Sequence, residues 1–277
     1  MVIDSSPLPD DGVASMAEQF ARDGYVMARG VFSPEEVTEI RELFAKIHQD
    51  GVPGFYEKET VRDGVENPDD PLYKYPRIMM PHRFNETARH YMLHPKVAHI
   101  LKALFQNDPV ATQSMFYYKP PGARGQALHQ DQFYLLIEPG TCIAAWTAID
   151  DCDADNGGMM VVPNSNKLPV ACPETADSDQ SYTNHLVKLP KGHKAELVKM
   201  KAGDTLFFNG NVIHGSGPNR SKDRFRRAFI SHYASGNLEK ISPSYRPLVR
   251  MDGTEYEVEG QTGGGGPCGE GWNGAAH

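Results

Sequence analysis

A chain of 277 residues is long enough to bury about 70–75% of its unfolded surface, so it needs neither disulfides nor a structural metal to fold. Its 39% hydrophobic and 23% charged residues exclude a wholly disordered chain. With 28 basic against 36 acidic residues, a net charge of −8 and no long block of either sign, attachment to nucleic acid or anionic membranes through bulk charge is disfavoured.

The four cysteines, Cys142, Cys152, Cys172 and Cys268, are too far apart for a CxxC pair, which argues against a zinc knuckle or a thioredoxin-like motif. The N-terminal MVIDSSPLPDD carries no basic or apolar leader pattern, and no run approaches the 18 apolar residues of a membrane span. The expected setting is therefore cytoplasmic, with free thiols. Asn-x-Ser/Thr matches at Asn85 and Asn219 are then chance.

In chain order, residues 13–23 have helical character and stop at Gly24, and an apolar stretch, 25–27, follows. Ser33-Pro34-Glu35-Glu36 combines an N-cap hydroxyl, a first-turn proline and the glutamate of a capping box. Val37, Ile40, Leu43, Phe44 and Ile47 follow at helical spacing, with Gly51 to close the helix. A Pro/Gly/Asp-rich stretch over 52–76 is expected to be a long loop, extending to a lid-like region at about 52–90. Its Tyr56, Tyr73, Lys74, Tyr75, Arg77, His82 and Arg83 suit an anionic or amphipathic small molecule, or simply a polar loop over the core. A further helix is expected over 95–105.

Beyond Pro109 the rhythm becomes short β-like runs at 110–119, 128–137, 142–149, 159–162, 197–201, 205–208, 212–214 and 227–233. Turn-forming PPGARG, EPG, DNGG, KAGD, NGN and GSGPN separate them. This pattern predicts a mainly β protein with flanking helices and a double-stranded β-helix core, a jelly roll of cupin type. Residues 1–259 are expected to form one such domain, followed by a flexible glycine-rich tail over 260–277.

The most informative string is Leu128-His129-Gln130-Asp131. On a strand, residues i and i+2 share a face, so His129 and Asp131 would point together while Gln130 points away. His214, 83 residues further on, ends another apolar run, and sheet pairing can bring it beside them. Two histidines and a carboxylate on one face are the donor set of non-haem Fe(II) oxygenases. Taken alone the HxD tripeptide is a weak signal, and a half-buried hydrogen-bonded histidine is the plainer explanation. The remaining histidines read as surface or structural, with His232 the least certain.

After His214 comes a basic stretch with Arg220, Lys222, Arg224, Arg226 and Arg227. Period-2 alternation allows Arg226 or Arg227 to face the barrel interior, but not both. A buried guanidinium there would call for an anion, and a dicarboxylate co-substrate supplies one.

The strings YYKPPG, LHQD, AAWTAID, DNGGMMVVPNS, KAGDTLFFNGNVIHGSGPN and FRRAFISHY, in this order from Met115 to Tyr233, resemble the phytanoyl-CoA dioxygenase family of Fe(II)/2-oxoglutarate oxygenases. The resemblance implies His129, Asp131 and His214 as iron ligands. It implies Arg226 as the partner of the distal 2-oxoglutarate carboxylate, with Arg224 and Arg227 as alternatives because the spacing after His214 differs by one residue. Gln130, Trp146, Ser216, Met115 and, more loosely, Arg77 match positions that line the co-substrate pocket in relatives. The implied cofactors are Fe(II), 2-oxoglutarate and O2, the implied substrate is a small molecule, and the implied products include succinate and CO2. Related halogenases lack the carboxylate that Asp131 provides, so the resemblance favours oxygenation. A divalent-metal cupin-like isomerase or hydrolase and a non-catalytic jelly-roll binding domain are the alternatives.

Overall fold

The structure, a computed structural model, describes residues 10–51, 56–57, 61–62, 65–66, 68–260 and 268. Helix α1 (Asp10–Asp23) leads into strand β1 (Tyr25–Ala28), and α2 (Pro34–Asp50) follows. The capping box at its start forms as the sequence predicts. Ser33 Oγ accepts from Glu36 N–H, and the Glu36 carboxylate accepts from Ser33 N–H at 2.7 Å. Val37, Ile40, Phe44 and Ile47 are buried, and Leu43 packs at the edge of the same cluster. Helices α3 (Glu86–Met92) and α4 (Pro95–Phe105) complete the helical layer.

The strands that build the two main sheets after β1 include β2 (Arg77–Met79), β3 (Pro109–Tyr117), β4 (Gln126–His129), β5 (Ile143–Ala148), β6 (Met159–Val161), β7 (Glu196–Leu197), β8 (Thr205–Asn209), β9 (His214–Ser216), β10 (Ala228–Ser235) and β11 (Leu248–Arg250). The larger sheet runs β1-β8-β5-β10-β3-β11, extended by Glu255–Tyr256, with β2 also paired to β3. The smaller sheet runs β7-β6-β9-β4. Every pairing in both is antiparallel, and the two sheets form the double-stranded β-helix.

Alternation along the larger sheet divides its side chains cleanly. Phe116, Ala145, Phe207 and Phe229 join the cluster beneath the helices, where Phe44 stacks on Phe116 at 3.9 Å between centroids. Met115, Trp146, Phe208 and Ile230 instead enter the cluster between the two sheets. The larger sheet is thus covered on both faces, and its inner face is the floor of the site described below.

Three expectations are corrected. The run 128–137 is not one strand: β4 ends at His129, a short helix Gln132–Leu135 follows, and Leu136 adopts a left-handed φ of 54°. Long-range bonding decides this, because Gln132 N–H donates to Gly210 O across the barrel. Within the lid-like region, 52–55, 58–60, 63–64 and 67 lie outside the described residues. Residues 71–92 are not a loop but a helix Pro71–Lys74, strand β2 and helix α3, the last capped by Asn85 Oδ1, which accepts from Ala88 N–H. Beyond 259, only Gly260 and Cys268 are described, and Cys268 forms a disulfide with Cys172, so not all four cysteines are free thiols. Cys142 and Cys152 are free and buried. Among the described residues no helix is long and apolar enough to cross a membrane.

One buried polar pair in this framework has a measurable consequence. His82 is 4% exposed, and its Nδ1 lies 2.6 Å from Ser114 Oγ on β3. Burial, with Arg83 and Arg89 nearby, pushes its pKa down to about 3. The unfolded chain takes up this proton near the ordinary value of about 6.5, so folded stability falls as pH drops from about 6.5 towards 3. Between pH 7 and 5 this one group should cost about 2 kcal/mol. Urea unfolding at both pH values should show that His82→Asn flattens the difference by about that amount.

Candidate metal centre

Strands β4 and β9 are neighbours, and their register sets His129 directly opposite His214. The imidazole centroids are 4.2 Å apart. His129 Nδ1 lies 2.8 Å from Ala127 O, and His214 Nδ1 lies 2.9 Å from Val212 O. A carbonyl can only accept, so Nδ1 of each ring carries the proton and each Nε2 keeps its lone pair. Both Nε2 atoms converge on Asp131 Oδ1, each at 3.5 Å. The chain turns sharply after β4, so Asp131 shares the His129 side from the start of a helix rather than from within a strand.

All three side chains are buried, and one donor atom from each lies within 4.8 Å of the others. Burial by itself would raise the Asp131 pKa. The imidazoles of His214 and His232 beside it more than offset that and hold it well below the usual carboxylate range. Burial lowers the His214 pKa to about 4, so its ring is neutral at pH 7, the state that can donate to a metal. Two imidazole nitrogens and one carboxylate oxygen fit a divalent first-row metal with coordination positions left open.

His232, the least certain of the histidines read as surface or structural, places its Nε2 3.0 Å from Asp131 Oδ2. Alternation carried the signal, since Ala228, Ile230 and His232 share the inner face of β10. An outer partner of this kind fixes the carboxylate's orientation. His232→Leu should therefore lower metal affinity about 10–100-fold, read by competitive chelator titration.

Met115 and Trp146 line the cavity holding the three donors, together with Tyr117, Gln126, Met159 and Phe208. Gln126 Nε2 approaches His129 Nε2 at 3.1 Å and Gln126 Oε1 accepts from Tyr182 OH at 2.8 Å. Gln130 does not line the cavity. Its Nε2 donates to Asn211 O at 2.8 Å and its Oε1 accepts from Ala171 N–H at 2.8 Å.

The three candidate arginines separate completely. Arg227 forks onto Asp150 at 2.8 Å through both Nε and Nη2, and Arg224 forks onto Asp153 at 2.7 and 3.0 Å. Arg226 turns inward and is 4% exposed. Its Nε donates to Gly157 O at 3.2 Å, its Nη2 lies 3.5 Å from Ser216 Oγ, and its Cζ is 5.1 Å from the Trp146 ring centroid. Trp146 thus touches the metal-side cavity and the guanidinium together. Lys119, not singled out from sequence although it lies in YYKPPG, reaches the same spot: its Nζ donates to Ser216 Oγ at 2.8 Å and Gly157 O at 3.2 Å. Arg77 is buried, donates to Tyr117 OH at 2.8 Å and lies 5.3 Å from the Tyr117 and Tyr182 ring centroids.

A double-stranded β-helix whose mouth gathers two histidines, one carboxylate and an inward arginine defines the non-haem iron, 2-oxoglutarate-dependent dioxygenases. The sequence profile of the phytanoyl-CoA dioxygenase (PhyH) family matches residues 20–228, well over half the chain, and the protein belongs to that family. Peroxisomal phytanoyl-CoA dioxygenase of Rattus norvegicus is 26% identical over 272 residues, covering 91% of this chain and 79% of its own. A probable phytanoyl-CoA dioxygenase of Caenorhabditis elegans is 32% identical over 183 residues, covering 61% and 55%. Among solved structures, the epimerase SnoN in complex with Fe3+, alpha ketoglutarate and nogalamycin RO matches with TM-score 0.68 and 21% identity, covering 86% of this chain and 88% of that one. EctD from S. alaskensis with 2-oxoglutarate and 5-hydroxyectoine matches with TM-score 0.62 and 18% identity, covering 85% and 79%.

Proposed function

We propose that this protein is an Fe(II)- and 2-oxoglutarate-dependent dioxygenase that hydroxylates a C–H bond of a small molecule. The observation that carries the reading is the pairing of the His129–Asp131–His214 donor set with the buried Arg226 across Trp146. Bound Fe(II), with 2-oxoglutarate and O2, supplies an oxidative decarboxylation that yields succinate, CO2 and one oxygen atom for the substrate. The protein's share is placement. His129 and His214 offer Nε2 because backbone carbonyls hold their Nδ1 protons, and His232 orients the carboxylate between them. Arg226 and Ser216 fix the distal carboxylate of the co-substrate, and Trp146 and Met115 wall its carbon chain. Fe(II)-reconstituted protein supplied with 2-oxoglutarate should release succinate slowly even without substrate, and His129→Ala should stop it. Failure of the wild type both to release succinate and to bind 2-oxoglutarate would sink the reading.

An anionic or amphipathic substrate is supported by Arg77, held among Tyr117 and Tyr182 beside the cavity. The net charge of −8 favours a small molecule over nucleic acid. One oxygenase domain over 1–259 is supported by the family match across 20–228. A cytoplasmic location is supported by the free thiols Cys142 and Cys152 and opposed by the Cys172–Cys268 bridge.

A further inference from the structure

Lys119 is 3% exposed and lies beside Arg226, and all the hydrogen bonds of these two side chains go to neutral oxygens, Gly157 O and Ser216 Oγ. Among the described residues no carboxylate forms an ion pair with either, and Asp150 and Asp153 are held by Arg227 and Arg224. Two adjacent cations buried together repel each other, and burial and Arg226 accordingly push the Lys119 pKa well below its ordinary value. Such a pair is costly unless an anion completes it.

The backbone is shaped around this pair. Lys119 adopts φ 41°, a left-handed conformation that a residue with a Cβ holds only when its surroundings impose it. Its carbonyl accepts from Arg226 N–H at 3.1 Å and from Asn219 Nδ2 at 3.0 Å, so the same residue anchors the Arg226 backbone and sends an ammonium alongside the guanidinium. Gly157, at φ 73°, completes the enclosure. A Cβ there would stand 2.4 Å from Gly217 O and 2.9 Å from Lys119 Cε.

We propose that Lys119 is a second cation for the distal carboxylate of 2-oxoglutarate, forming with Arg226 and Ser216 a three-point clamp that selects a dicarboxylate co-substrate. This inference rests on the functional reading above and extends it to a residue outside the iron and arginine set. An anion lying between the two cations accepts hydrogen bonds from both, so neither positive charge is left buried without a counter-ion.

Calorimetric titration of Fe(II)-loaded protein under argon tests this by binding alone, with 2-oxoglutarate and with 2-oxopentanoate, which lacks the distal carboxylate. Lys119→Met should weaken 2-oxoglutarate binding about thirtyfold, equivalent to about 2 kcal/mol, the lower end for losing one partner of a buried charge pair. It should change 2-oxopentanoate binding less than twofold, and Lys119→Arg should retain most of the affinity for 2-oxoglutarate. A loss below tenfold, or an equal loss for both ligands, would overturn the proposal. Wild-type protein that binds neither ligand would overturn the reading on which it rests. Should Lys119→Met not fold, the Lys119 Cε resonance of Zn(II)-loaded, 13C-lysine-labelled protein, assigned with Lys119→Arg, must move on adding 2-oxoglutarate and stay put with 2-oxopentanoate. A resonance that ignores both would be equally fatal.

Discussion

Asp131→Asn should leave a folded protein that holds no iron and releases no succinate. Amide and carboxylate have nearly the same volume, so the buried cavity neither empties nor overfills, and the lost quantity is charge. In the wild type, one carboxylate stands among His129, His214 and His232, and its Oδ1 is the point on which two Nε2 atoms converge. With an amide there, three buried imidazoles face a divalent cation with no negative charge to offset its desolvation. The loss should exceed the roughly 10–100-fold expected from removing an outer partner such as His232. Metal content after desalting and succinate release measure the two halves of the prediction. Retention of one iron per chain with intact turnover would show that the donor set has been misassigned.

His129 and Asp131 were legible as a pair because they are neighbours in the chain, although the strand spacing that pointed to them stops at His129 and Asp131 reaches the site from the start of a helix. His214 was legible only as a candidate. Its place opposite His129 depends on the β4–β9 register, and that follows from how two sheets close, not from any local pattern. The choice among Arg224, Arg226 and Arg227 shows the same limit. Alternation admits only one of Arg226 and Arg227 and cannot separate Arg224 from Arg226; the decision lies with Asp150 and Asp153, more than seventy residues earlier, which hold Arg227 and Arg224. Helix α2 could be read in full because its cap, first-turn proline and apolar face are all local. The 71–92 region could not, since β2 is a strand only by virtue of its pairing with β3. Lys119 was obscured by its place in the chain: it reads only as the last residue of the 110–119 run before the PPGARG turn, and its burial comes from the folded barrel.

Arg226→Met should raise the KM for 2-oxoglutarate by about 100–1,000-fold, with a smaller effect on turnover at saturation. Removing one partner of a fully desolvated charge pair costs about 2–5 kcal/mol, and the planar fork that two carboxylate oxygens require is lost with it. Arg226→Lys should recover only part of the loss, because an ammonium on a flexible stem cannot replace a guanidinium positioned over Trp146 and bonded to Gly157 O. The same substitution separates the oxygenase from a hydrolytic metal centre built on the same ligands, for which an anion clamp on the far side of Trp146 has no task and activity would survive. Stability should move the other way. Without the co-substrate, the wild type buries Arg226 against Lys119, and burial lowers the pKa of both. Deleting the guanidinium relieves that repulsion, so Arg226→Met should melt no lower than the wild type when 2-oxoglutarate is absent, and 2-oxoglutarate should raise the melting temperature of the wild type alone. A variant that melted far lower in both conditions would mark Arg226 as a structural residue, and the anion it is positioned to hold would have to be sought elsewhere in the barrel.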